Sequence, residues 1–161
     1  RRTPTARRSI WINDFGTRRS RKAWSMLASD DTTADRDGDG RGGRIILSKS
    51  GRSVWGIEKV QTVAGSTLND LLATWDVYRV TPNGGDWMIE LSPDGRFAGE
   101  QLRQNTPRGV GRVTLRLDAG RDDRFRNLEA VYIRLSGTNG VLDWSASAGA
   151  VEITARVNRS R

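Results

Sequence analysis

Two residue types that most often carry catalysis are missing from this chain: its 161 residues include neither Cys nor His. That removes Ser-His and Cys-His nucleophile pairs, thiolate or imidazole zinc sites, and imidazole acid–base catalysis. The groups that remain are cationic and acidic. Arg1, Arg2, Arg7, Arg8, Arg18, Arg19, Arg21 and Lys22 put eight positive charges into the first 22 residues, against Asp14 alone. The chain as a whole carries +8, so seven of the eight net charges belong to this arm and the remainder is nearly neutral. The planar fork of Arg matches phosphate oxygens two at a time, and such a cluster is the electrostatic footprint of nucleic-acid contact. A membrane surface would attract the same charge. Ile10-Trp11-Ile12 and Phe15 interrupt the cluster, and two roles fit them: an aromatic that stacks on a base, or an apolar patch that docks on the body.

The acidic residues offer two further chemistries. Asp35, Asp37 and Asp39, followed by Gly40, match the first half of a D-x-D-x-D-G calcium loop, where alternate carboxylates supply hard oxygen ligands. The second half departs from the motif: Gly42 and Ile46 stand where a hydrophobic residue and a bidentate Glu belong. A glycine-rich polar loop explains the same residues, and calcium is the one cofactor the sequence suggests. Glu58, Glu90, Glu100, Glu129 and Glu152 are the carboxylates from which a glycosidase pair would be drawn. Lone carboxylates on strands usually face solvent, so the expectation is a protein that is not an enzyme.

These groups need a scaffold, and the hydrophobic pattern is that of strands. Val131, Ile133 and Leu135 share one parity, as do Val151, Ile153, Ala155 and Val157; period two marks strands with one dry and one wet face. Val113, Leu115 and Leu117 repeat it within 110–118, with Arg112, Thr114, Arg116 and Asp118 opposite. Further strands are expected at 44–48, 53–63, 75–81 and 86–92, with a weak one at 125–129. The strands at 75–81 and 86–92, joined by Pro82-Asn83-Gly84-Gly85, look like a hairpin, although a sandwich can also send them to different sheets. Two segments read as helix. Leu68, Leu71, Leu72 and Trp75 stand at i, i+3, i+4 and i+7, with Thr67 and Asp70 resembling a capping box; residues 96–104 hold Phe97 and Leu102 as anchors. The connection from Ser136 to Gly149 is expected to be a surface or subunit-contact loop presenting Trp144. No apolar run approaches the roughly 18 residues of a membrane-spanning helix.

The chain therefore divides into a basic nucleic-acid-binding arm at 1–22, a joining segment at 23–43 and a shell-like body at 44–161. The body is expected to be all-β, an eight-stranded antiparallel jelly-roll sandwich with two short helices. Its order of elements, and the segments Tyr78-Arg79-Val80-Thr81, Ile89-Glu90-Leu91-Ser92-Pro93-Asp94, Tyr132-Ile133-Arg134-Leu135-Ser136-Gly137-Thr138-Asn139-Gly140 and Gly149-Ala150-Val151-Glu152-Ile153, resemble the shell domains of small icosahedral RNA virus coat proteins of the luteovirus, polerovirus and sobemovirus kind. The resemblance implies a capsid protein that assembles with many copies of itself in a virion. Its arm would neutralise packaged RNA, and calcium often sits between subunits of such shells. Two other classes fit the residues: a non-viral β-protein that binds nucleic acid, and a β-sandwich adhesion or carbohydrate-binding module.

Overall fold

A computed structural model of the chain describes residues 6–13, 43–47, 53–79, 87–99, 101–105, 111–137, 140–144 and 151–159. They form ten strands: β1 (Arg7–Asn13), β2 (Gly43–Leu47), β3 (Ser53–Gln61), β4 (Ser66–Arg79), β5 (Trp87–Ser92), β6 (Leu102–Asn105), β7 (Gly111–Asp118), β8 (Ala130–Gly137), β9 (Gly140–Trp144) and β10 (Val151–Arg159). All named pairings are antiparallel. One sheet runs β1-β10-β4-β9-β2, with β7 also on β4; the other runs β3-β8-β5-β6. The result is an antiparallel β-sandwich of jelly-roll type, and no helix among the described residues is long and apolar enough to cross a membrane.

The alternating strands bury what their parity predicts. Val151, Ile153, Ala155 and Val157 of β10 meet Leu115 and Leu117 of β7 and Leu68, Leu71, Ala73 and Trp75 of β4, while Val131, Ile133 and Leu135 of β8 and Ile89 and Leu91 of β5 close the core from the other sheet. Trp75 and Phe125 are the largest fully buried side chains. Each large apolar side chain withdrawn from water contributes about 1.5–3 kcal/mol.

Both expected helices are strand or loop. The first lies within β4, the longest strand at 14 residues. Its helix-like spacing comes from a β-bulge. The register against β10 shifts between Thr154 and Arg156, which pair with Leu72 and Asn69. The extra residue on β4 lies at Asp70, whose φ is 51°. One inserted residue moves the inward set from Leu68 to Leu71, Ala73 and Trp75 instead of Asp70 and Leu72. An i, i+3 step in the sequence therefore records a kinked strand. The second expected helix is a loop over 93–99, with β6 following at Leu102–Asn105. Positive φ at Gly95, Phe97 and Gly99 is incompatible with consecutive helical turns.

Four other expectations change. The part of the arm that is described, Arg7–Asn13, is a regular strand paired with β10, and Trp11 packs on the core as a docking anchor. Its isolated sequence shows too little alternation to announce a strand; the β10 edge supplies the hydrogen bonds. The 75–81 and 86–92 segments are no hairpin, because β4 and β5 belong to different sheets. Between β8 and β10 the long connection contains β9, which pairs with β2. The weak strand at 125–129 is a 3-10 turn, Asp123–Phe125, capped by the Asp122 side chain, and a lone bridge between Leu128 and Leu68.

Candidate functional site

The sandwich presents two outer sheet faces and an open edge between the sheets. The outer face of the β3-β8-β5-β6 sheet is covered over its central strands, β5 and β8. Glu90 and Arg134 stand directly opposite one another on β5 and β8. Arg134 Nε donates to Glu90 Oε1 at 2.7 Å and its Nη2 to Oε2 at 3.0 Å. The loop over 93–99 and Gln101 lie across this pair. The Phe97 ring lies 4.5 Å from the Arg134 guanidinium, and Gln101 Nε2 donates to Glu90 Oε2 at 3.5 Å. Gly95 lies against Tyr132 so closely that a Cβ there would sit 3.2 Å from the ring.

The loop is anchored by short polar side chains. Ser92 Oγ accepts the amide protons of Asp94 and Gly95 at 3.3 and 2.9 Å. The Asp94 carboxylate accepts the Arg96 amide at 3.0 Å and its Nε at 2.7 Å. The amide and then the guanidinium of Arg96 hold the Asp94 carboxyl below its ordinary value. Asp122 is held low in the same way, first by the Arg124 side chain, which donates at 3.0 and 2.6 Å.

The outer face of the other sheet is open and polar. Cross-strand neighbours share a face, and the register aligns two rows across four strands. The first is Ser9, Thr154, Leu72 and Asp118; the second is Ile12, Glu152, Thr74 and Arg116, each taken in the order β1, β10, β4, β7. At the usual strand spacing each row is about 14 Å wide. Ile12 is 61% exposed. A third group borders the rows at the bulge. Arg156 pairs with Asp70 at 2.8 Å, and Arg7 Nη1 donates to the Asp70 carbonyl and to Thr154 Oγ1. The described charges on this platform balance: Arg7, Arg116 and Arg156 against Asp70, Asp118 and Glu152.

The residues singled out from sequence are dispersed. Arg7 is engaged in holding the bulge, while Arg8 lies at the open edge, where it lines two clefts. Arg1, Arg2, Arg18, Arg19, Arg21 and Lys22 lie outside the described residues, as do Asp35, Asp37, Asp39 and Glu100. Among the described residues no group of three or more acidic side chains gathers as a metal site would require. The other glutamates stand apart: Glu90 is bound by Arg134, Glu152 lies on the open platform, Glu58 is opposite Ile133 on β3 and β8, and Glu129 is exposed before β8. The platform itself was missed from sequence. The wet parities of β7 and β10 were visible, but their adjacency runs through β4, which carried a helix signal.

No protein-family model matches the sequence, and no curated protein matches it. Among solved structures the chain is similar to a protein of unknown function with a galectin-like fold from Bacillus subtilis, at a TM-score of 0.51 and 6% identity over 95% of this chain and 97% of that one. It is also similar to the xylan-binding module CBM15, at 0.47 and 11% identity over 98% and 99%, and to CBM27-1 of Caldicellulosiruptor saccharolyticus in complex with mannohexaose, at 0.40 and 10% over 85% of each. The galectin-like match agrees with the β-sandwich seen here. The resemblance to viral shell domains is supported as far as that sandwich.

Proposed function

We propose that the protein is a carbohydrate-binding β-sandwich module, without catalytic activity, that holds a neutral polyhydroxyl chain across the β1-β10-β4-β7 platform. The observation that carries this reading is the pair of rows on a platform whose described charges balance once the group at the bulge is counted. Glu152, Asp118 and Arg116 are planar groups able to engage two neighbouring hydroxyls at once, Thr74 and Thr154 both donate and accept, and Leu72 and Ile12 offer apolar contact to the carbon face of a sugar. A polyanion gains no net attraction from such a face, because its three described arginines are matched in number by three carboxylates.

The test is affinity electrophoresis and calorimetry of the whole chain with xylan, β-mannan and galactan. At least one is expected to bind, and Arg116→Ala and Glu152→Ala each to weaken it tenfold or more. Binding to none, or binding indifferent to both substitutions, would overturn the reading.

A second reading keeps the coat protein, and one observation favours it: seven of the eight net positive charges fall within the first 22 residues. On that reading the chain assembles with copies of itself around RNA. Uniform shells by negative-stain microscopy, with RNA lost on deletion of residues 1–22, would establish it in place of the glycan module.

A further inference from the structure

The open edge between the sheets, at β1 and the end of β3, carries a second site. We infer that Arg8 and Arg159 form a receptor for an oxyanion carried by a small ligand with a compact carbon body. Two adjoining clefts share Arg8. One, of about 450 Å³, is lined by Ala6, Arg8, Val157 and Arg159. The other, of about 360 Å³, is lined by Arg8, Ser9, Ile10, Gln61, Thr62 and Val63. Each is within the size range of small-molecule sites, about 300–1,000 Å³.

The register explains why cations line this opening. Arg8 stands opposite Ala155, and Arg159 follows Val157 by two residues. Both thus have the parity of inward-facing residues, yet they fall where the sandwich ends and the core has run out. Arg7, by contrast, stands opposite Arg156 on the outer platform. Neither Arg8 nor Arg159 has a carboxylate partner among the described residues, unlike Arg134, Arg156, Arg96, Arg124 and Arg126. Two guanidiniums with one open edge between them present forked donors for a carboxylate, sulfate or phosphate group.

The second observation is Thr62. Its Oγ1 is buried and has no hydrogen-bond partner, although it belongs to a residue lining the cleft. Leaving such a group unpaired costs about 1–3 kcal/mol, a cost that would be removed by a ligand oxygen that opened the cleft wall at Thr62. Val157, Ile10 and Val63, the last 77% exposed, supply apolar wall for a carbon body. This site adjoins the platform at Ser9 but does not depend on the glycan reading.

Calorimetry of the full chain with glucuronate, inorganic phosphate and inorganic sulfate, and with glucose as the uncharged control, tests the inference. Glucuronate is expected to bind and glucose not to bind at this edge. Arg8→Gln and Arg159→Gln should each weaken glucuronate at least tenfold, and Thr62→Val severalfold. Arg121→Gln, which removes a charge from an exposed loop elsewhere, should leave binding unchanged. If phosphate and sulfate bind as tightly as glucuronate, the site recognises the oxyanion alone; if glucuronate binds more tightly, the carbon body contributes as well. Either result supports a receptor at Arg8 and Arg159. Absence of binding by all three anions, or binding unchanged in both arginine variants with thermal melts matching the parent, would overturn it.

Discussion

Arg134 grips both carboxylate oxygens of Glu90 from the facing strand, at 2.7 and 3.0 Å, beneath the ring of Phe97. The Glu90 side chain is 1% exposed and that of Arg134 22%. Removing one member of a buried pair leaves the other charge without compensation, at about 3–5 kcal/mol. Because Arg134 still reaches water, Glu90→Ala should fall toward the lower end of that range. Replacing the pair together, as Glu90→Leu with Arg134→Met, should cost much less than the sum of the single changes, since no orphan charge remains. Urea denaturation of Glu90→Leu, Arg134→Met and the double variant measures this; additive losses would show that the two side chains do not act as a pair.

The bulge at Asp70 is a second point where one residue sets the geometry. Its φ of 51° is tolerated by Asp and Asn and poorly by β-branched residues. Its carboxylate also meets Arg156 across a half-exposed surface, where such pairs contribute about 0–1 kcal/mol. Asp70→Asn should therefore change stability by less than about 1 kcal/mol. Asp70→Val adds the cost of a left-handed conformation, about 1–2 kcal/mol, and should also loosen Arg7, which donates to the Asp70 carbonyl. Thermal melts of both variants decide the matter, and equal losses would mean that the backbone conformation is not what distinguishes the position.

This bulge also marks the limit of what the sequence disclosed. Wherever alternation was unbroken, as in Val151–Val157 and Val131–Leu135, strand and buried face were both legible. At Leu68–Trp75 one extra residue turned period two into an apparent helical stripe, which concealed the strand that joins the two halves of the platform. At Arg7–Asn13 the strand depends on an edge offered by distant β10, so local composition pointed only to a charged arm. The site was legible as separate wet faces on β7 and β10. Their union depended on sheet order, which no single segment encodes.

Acid should weaken the fold through Asp94 and Asp122. Both carboxyls titrate below their ordinary 3.8 in the folded chain, so the folded state binds fewer protons there than the unfolded chain. Their contribution is fully present above the unfolded value, about pH 4, and is lost as pH falls through the lowered folded values. Denaturation of the parent and of the Asp94→Asn, Asp122→Asn double variant should show a stability gap at pH 6 that closes progressively below pH 4. A gap that stays constant down to pH 2 would assign the loss to packing and not to titration.

Salt separates the two functional readings through a physical quantity each fixes in advance. A ligand held by phosphate neutralisation releases condensed counterions, and for single strands log K falls with log salt at about −0.7 per neutralised phosphate. Engagement of the eight arm cations would thus cost several orders of magnitude in affinity between low and physiological salt. A neutral glycan on the platform releases no such ions. Its hydrogen bonds to Arg116, Glu152 and Thr74 should keep nearly constant affinity between 50 and 200 mM NaCl, with a log–log slope near zero. The measurement is calorimetry of whichever polysaccharide binds, repeated across salt, beside a filter-binding series with single-stranded RNA. A flat glycan series lost on Arg116→Ala supports the platform; a steep glycan slope would place binding on the charged arm and withdraw the assignment of these two rows.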